Sequence, residues 1–179
     1  GTGALTKTGA NVLTLSGANS YTGATNVNAG TLQAAASSIN SSSVVTVAGN
    51  STFNLTSGTM TQTFTNSGTI NVYGSLNPAV VATNNNVINI KSGGAMQIAN
   101  SITGSGTIAN ESGAVLTLTS GGTTNPITNA NGGILSVTGS VTSAGITNSG
   151  NMSIAGSVSG SGTIANESGA VLTLTSGGT

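Results

Sequence analysis

Cysteine, histidine, aspartate and arginine are all absent from this chain. Without cysteine, the chain cannot form a disulfide scaffold or a thiolate metal site. Serine and threonine are abundant, but a hydroxyl nucleophile needs a base, and the residue types that usually supply one are missing or rare. We therefore expect a protein that is not an enzyme and that uses no cofactor and no metal.

Charged side chains are almost absent as well. The 179 residues carry two lysines and two glutamates, and the formal net charge is zero. Two glutamates are too few for a calcium site. Glu111 and Glu167 should lie roughly 14 Å apart by strand spacing, which is outside the range of a glycosidase pair. A chain without net charge offers no electrostatic footprint for nucleic acid, and it also lacks the self-repulsion that opposes association.

Long apolar runs are the third absence. No run approaches the roughly 18 residues of a membrane-spanning helix, so we expect no membrane insertion by this segment. Gly1 opens directly into repetitive sequence, without a basic and then apolar leader. For a secreted protein, the signal is therefore expected to have been removed or to lie outside this sequence.

Repetition is what the sequence has in abundance. The stretch GSGTIANESGAVLTLTSGGT occurs at residues 104–123 and again, unchanged, at residues 160–179. Within it a shorter unit recurs, made of an apolar residue, a polar turn, an apolar alternation and a second turn. Weaker copies begin every 18–24 residues by subtraction of neighbouring starts, which is the period of a solenoid. The starts are Leu5, Val27, Val45, Phe64, Ile88, Ile108, Ile127, Ile146 and Ile164.

Three inward apolar positions recur in each repeat from residue 87 onward. Period-2 alternation around them predicts three short strands per repeat around a triangular or L-shaped core. We predict an all-β fold, a single β-helix (β-solenoid) over residues 1–179, with about nine rungs and a length of about 40 Å at roughly 4.8 Å per rung. Residues 87–179 form the regular rungs in this prediction. Residues 34–86 are less regular, with a loop insertion near residues 74–86.

The first 33 residues, GTGALTKTGANVLTLSGANSYTGATNVNAGTLQ, carry a more specific pattern. A Leu-Thr-Lys-x-Gly opening leads through Leu-x-Leu-x-Gly and Asn-x-Tyr-x-Gly to Val-x-x-Gly-x-Leu. This pattern resembles the passenger-associated transport repeat of bacterial autotransporters, with Asn11 where the family usually has glycine. The resemblance implies a right-handed β-helix that is exported across a bacterial outer membrane and displayed on the cell surface or released. The matching residues are Leu5, Thr6, Lys7, Gly9, Leu13, Leu15, Gly17, Asn19, Tyr21, Gly23, Val27, Gly30 and Leu32.

The four charged residues predict two contacts. Lys91 and Glu111 each follow the first apolar residue of successive rungs by three positions, so we expect an exposed ion pair worth about 0–1 kcal/mol. Glu167 has the same position in the last rung, and Lys7 lies in the first. If one copy stacks its first rung on the last rung of another, Lys7 and Glu167 would meet in a head-to-tail contact. Accidental pairing of four scattered charges is the alternative.

Asparagines recur two residues after the first apolar position of a rung. Stacked side-chain amides hydrogen-bond along the axis of cross-β assemblies, and a similar ladder is one interpretation of this pattern. The other interpretation is that asparagine suits turns that need a positive φ. The candidate ladder residues are Asn66, Asn110, Asn129, Asn148 and Asn166.

Three functions fit an uncharged solenoid. The favoured one is an extracellular structural or adhesive protein, either an autotransporter-like passenger or a filament subunit that associates end to end or laterally with itself, or binds cell and abiotic surfaces. An ice-binding solenoid is the second, although the outward residues between Thr14 and Thr173 are polar but irregular. The third is a noncatalytic stalk of a larger secreted enzyme.

Overall fold

The computed structural model describes residues 1–123 and 125–175 as a parallel β-solenoid of about nine turns. Two of its sheets have nine strands each and the third has seven, and each strand pairs in parallel with the equivalent strand of the next turn. This confirms the predicted all-β solenoid. Residues 176–179, the end of the second identical repeat, lie outside the described residues.

The three sheets run side by side along the solenoid axis. The first contains Leu5–Lys7, Thr25–Val27, Val45–Val47, Phe64–Asn66, Ala82–Asn84, Ile102–Thr103, Gly122–Thr123, Ser140–Ser143 and Ser157–Ser159. The second contains Val12–Leu15, Thr31–Ala34, Thr52–Leu55, Thr69–Val72, Val87–Ile90, Thr107–Asn110, Ile127–Asn129, Ile146–Asn148 and Ile164–Asn166. The third contains Thr59–Met60, Ser75–Leu76, Ala95–Ile98, Val115–Leu118, Ile134–Val137, Asn151–Ile154 and Val171–Leu174.

The core consists of vertical columns of apolar side chains. In the second sheet, the strand register places Ile70, Ile88 and Ile108 one above the other, and none of the three is exposed. The residues on either side of them point outward and, apart from Val87 and Ala109, are polar, so each strand alternates largely as a half-buried strand should. Burying one such side chain is worth roughly 1.5–3 kcal/mol. Each turn gains that stabilisation only through its neighbours, as in other repeat proteins.

The first two turns differ from the later ones because they have no strand in the third sheet. Residues 16–24 occupy that side of the first turn without regular structure, and a four-residue helix, Ala36–Ile39, occupies it in the second. Ile39 is fully buried and contributes to the core from this helix. The prediction of three strands per turn therefore applies from Thr59 onward.

The predicted loop insertion near residues 74–86 is wrong. Ser75–Leu76 and Ala82–Asn84 are strands of the third and first sheets. Ile88 pairs with Ile70, which is 18 residues earlier (88 − 70), so this turn has ordinary length. The predicted repeat starts Phe64 and Ile88 are 24 residues apart (88 − 64), which suggested an insertion. The interval is long because Phe64 belongs to the first sheet and Ile88 to the second. Strands of all three sheets alternate in the same way, so alternation alone does not distinguish them.

Four of the five candidate asparagines form a ladder at one edge of the second sheet. The register pairs Asn110 with Asn129, Asn129 with Asn148, and Asn148 with Asn166. At every step the Nδ2 of one side chain donates to the Oδ1 of the next at 2.7 Å. The Nδ2 of Asn110 also donates to the carbonyl of Ile134 at 2.9 Å, so the amide ties the second sheet to the third sheet of the next turn.

Asn66 is not a member of this ladder. It lies in the first sheet, where its Nδ2 donates to the Oδ1 of Asn84 at 2.7 Å. The second-sheet ladder begins at Asn110 because the residue paired with it in the preceding turn is Ile90. Ile90 offers no side-chain donor, and the buried Oδ1 of Asn110 has no hydrogen-bond partner within the described structure.

A need for positive φ does not explain these asparagines. Among the described residues other than glycine, Asn50 is the one with a positive φ, at 62°. The ladder residues instead end second-sheet strands, and Asn110, Asn129 and Asn148 are fully buried. Their amides bond to each other and also donate to backbone carbonyls, such as those of Ile134 and Asn151, which is how buried polar groups are tolerated.

Replacing Asn129 with alanine tests the ladder. The change removes the donor to Asn148 and the acceptor for Asn110, so we expect the free energy of unfolding to fall by about 2–3 kcal/mol. Asn54→Ala is the matched control, since Asn54 accepts from Asn71 at 2.9 Å on the outer face, where water can replace the bond. Its loss should stay below about 1 kcal/mol. Equal losses in urea denaturation would contradict a structural role for the buried ladder.

Candidate interaction surfaces

Lys7 points into the solenoid rather than toward a neighbouring copy. Its Cα pairs with that of Val27 in the inward column of the first sheet, and the residue is 6% exposed. The ammonium donates to the carbonyls of Thr8, Gly9 and Ala29 at 3.0, 2.7 and 2.9 Å. These three bonds use all three donors of the ammonium. The expected head-to-tail contact with Glu167 is therefore not available to Lys7 in this arrangement.

Lys91 and Glu111 form an ion pair between successive turns. The distance from Lys91 Nζ to Glu111 Oε1 is 2.5 Å, and the side chains are 25% and 40% exposed. A pair this exposed contributes about 0–1 kcal/mol. Glu167 follows Asn166 as Glu111 follows Asn110, and it is exposed. The two glutamates thus lie at the same corner, three turns apart.

The outer face of the second sheet carries two ordered rows. One row begins at Val12 and consists mainly of threonine, and the other consists of amides in the early turns. Asn71 donates to Asn54, and Asn89 donates to Asn71, each at 2.9 Å. The threonine row contains Thr31, Thr52, Thr69 and Thr107, with Val87 between the last two; the amide row contains Gln33, Asn54, Asn71 and Asn89.

A second threonine row lies on the outer face of the first sheet. The strand register stacks Thr46, Thr65, Thr83 and Thr103 in four successive turns. The outward residues are therefore more regular than the sequence indicated. The irregular series from Thr14 to Thr173 combined positions from the second and third sheets, which are separate surfaces.

The third sheet presents a different chemistry. Its strands place an aliphatic residue outward at Val115, Ile134 and Val171, which are 37%, 48% and 52% exposed. Two positions later on each strand comes a hydroxyl residue, and the register aligns the two rows along the axis. A shallow groove of about 340 Å³ follows these rows near their C-terminal end. The hydroxyl residues of these three strands are Thr117, Ser136 and Thr173.

Two further buried asparagines were not identified from the sequence. Asn84 ends a first-sheet strand beside Asn66, and Asn125 donates to the carbonyls of Asn84 and Gly104 at 3.1 and 3.0 Å. The 18-residue spacing of Asn66 and Asn84 (84 − 66) was a usable signal, because it equals one turn. Asn125 had no such signal, since its side chain donates to backbone carbonyls and not to an asparagine side chain one turn away.

The described residues contain no group of three or more metal-ligating side chains of the histidine, cysteine, aspartate or glutamate type. The part of the chain that the structure describes also has no helix with the length and hydropathy needed to cross a membrane.

Lys7→Met tests the role of the buried ammonium. Methionine keeps the side-chain length but cannot donate, so the first turn should lose about 2 kcal/mol of local stability. Amide hydrogen exchange at Leu5 and Asn28 should then be at least about tenfold faster, while amides beyond residue 60 keep their rates. Lys91→Met is the matched control and should change exchange at these amides little. Unchanged exchange at Leu5 and Asn28 in Lys7→Met would show that the ammonium does not hold this turn.

A family model described as the passenger-associated transport repeat matches residues 5–34. The match begins at the first strand of the solenoid and ends with Thr31–Ala34, so it covers the first turn and the first- and second-sheet strands of the second turn. No curated protein and no solved structure matches the chain. The passenger-repeat match and the parallel solenoid together fit an autotransporter passenger-like domain, a kind of domain that is extracellular or exposed on the cell surface.

Proposed function

We propose that this chain is a noncatalytic part of an extracellular passenger that attaches cells to one another or to surfaces. The observation that supports this most directly is the outer face of the second sheet, where uncharged threonines and amides recur turn after turn. Such a face binds through hydrogen bonds and van der Waals contacts. Each contact between two rods is weak, but many rods on one cell act together.

Association of two copies through the faces of the rod is energetically more favourable than stacking the first turn of one copy on the last turn of another. In the second sheet, the column that ends at Asn166 begins at Leu15 in the first turn. Stacking a first turn on a last turn would place the Asn166 amide against an aliphatic side chain. The Nδ2 of Asn166 donates one N–H to the carbonyl of Ala170 at 3.2 Å, and burying its second N–H without an acceptor would cost about 1–3 kcal/mol. We therefore propose lateral contacts as the route to homo-assembly.

The test is adhesion of beads coated with the 179-residue chain. We expect the beads to cluster and to bind bacterial cells or glass, and the binding to persist from about 0.05 to 0.5 M salt because the face is uncharged. A variant with Thr52→Lys and Asn71→Lys should lose clustering. The control carries Thr56→Lys and Ser105→Lys, which add the same charge at exposed turns. Beads that neither cluster nor bind, or that bind only at low salt, would contradict the proposal.

Ice binding is the second candidate. The four stacked threonines of the first sheet form a regular array at roughly 4.8 Å spacing. The hydroxyls of Thr83 and Thr103 are 3.4 Å apart, which shows how closely successive members approach. A repeating pattern of methyl and hydroxyl groups on a sheet is the kind of surface that can order water.

Thermal hysteresis of the purified chain tests this second function. If the array binds ice, Thr65→Lys should abolish the hysteresis because a long charged side chain interrupts the row. Thr56→Lys, at an exposed turn, should leave it unchanged. A wild-type chain that neither shows hysteresis nor reshapes ice crystals would rule the function out.

A further inference from the structure

The third sheet differs from the other two in the chemistry of its outer face. We call the two outward rows on this face the third-sheet stripe, with Val115, Ile134 and Val171 in the aliphatic row and Thr117, Ser136 and Thr173 in the hydroxyl row. Between Ile134 and Val171 the aliphatic row is interrupted by Asn151, which is exposed. The stripe is therefore apolar along one side and polar along the other.

Exposure of the aliphatic row is costly unless something covers it. Single exposed aliphatic residues are common on protein surfaces and need no explanation. Here Val115 and Ile134 are paired in adjacent turns and Val171 continues the row, so the exposure follows one line along the axis. Apolar surface rimmed by polar groups is a feature of binding sites.

The dimensions of the stripe suit a narrow partner. The stripe spans four strands, which at roughly 4.8 Å per strand and four residues of roughly 3.3 Å give a face of about 19 by 13 Å. Its area, about 250 Å², is near a third of the roughly 800 Å² that each partner buries in a standard protein complex. The groove of about 340 Å³ runs between the rows across three successive strands, so it extends along the axis.

The chemistry of the stripe indicates what that partner is. None of the residues that line the groove is charged, so the groove has no feature that would select an anionic ligand. Ligand grooves combine an apolar lining with a few polar groups that fix orientation. A sugar ring has the matching pair of surfaces, since its C–H face is apolar and its edge carries hydroxyls. Successive rings of an extended chain also recur at about the spacing of parallel strands.

We propose that the third-sheet stripe binds a neutral linear polysaccharide laid along the axis of the rod. The aliphatic row contacts the C–H faces of the rings, and Ser136, Thr117 and Thr173 exchange hydrogen bonds with their hydroxyls. This inference rests on the attachment function proposed above and names the class of surface that is recognised.

The test is co-sedimentation of the purified 179-residue chain with cellulose and with chitin, which are both neutral and linear. The stripe variant combines Ile134→Ser and Val171→Ser. Its matched control combines Val80→Ser and Val81→Ser, whose valines are both 55% exposed and lie outside the stripe. We expect the wild type and the control to bind at least one polysaccharide, and the stripe variant to bind at least about tenfold more weakly with an unchanged circular dichroism spectrum.

Two results would overturn the inference. One is a wild-type chain that binds neither polysaccharide, and the other is equal binding by the stripe variant and its control. If coated beads still attach to cells in either case, the attachment function stands without the glycan site. If polysaccharide binding is lost only in the stripe variant while coated beads attach to nothing, the glycan site stands and the attachment function fails.

Discussion

Parallel stacking of one turn on the next is the constraint on which this structure depends. Each strand hydrogen-bonds to its equivalent in the neighbouring turn, so a residue meets its counterpart at roughly 4.8 Å. The side chains that stack in one column must therefore be able to pack against one another or to hydrogen-bond with one another along the whole column. Ile70, Ile88 and Ile108 satisfy this by packing, and the asparagines from Asn110 to Asn166 satisfy it by hydrogen bonding.

The same constraint explains where the amides of the second-sheet ladder are paired and where one of their acceptors remains unpaired. An amide in a column is satisfied when the next turn also supplies an amide, as between Asn129 and Asn148. Where the chemistry of the column changes, at Ile90 and Asn110, an acceptor is left without a partner. Lys7 shows another solution, because carbonyls of its own turn and of the next receive its three donors.

The columns on the outside of the rod give each of its three faces a chemistry of its own. Because the turns stack in register, a similar type of side chain recurs along each outer face. The three sheets therefore offer three surfaces with different chemistry instead of one mixed surface. Threonines and amides dominate the outer face of the second sheet, threonine recurs on the first, and aliphatic and hydroxyl residues lie side by side on the third. With so few charges, each face acts through short-range contacts. Contacts of this kind are the ones that the attachment function proposed above would use.

The sequence by itself determined the period, the all-β solenoid and the register of its last four turns, because identical repeats and regularly spaced isoleucines leave one way to stack them. That spacing also predicted the Lys91 to Glu111 pair and aligned Asn110, Asn129, Asn148 and Asn166 in successive turns, while it left open whether these asparagines form a ladder or serve turns. Only the tertiary structure decided which sheet each strand joins, and therefore the positions of Asn66 and of residues 74–86. It also decided the partners of Lys7. The physical reason is that alternation is a property of any single strand, whereas sheet membership depends on where the chain turns against the neighbouring rung.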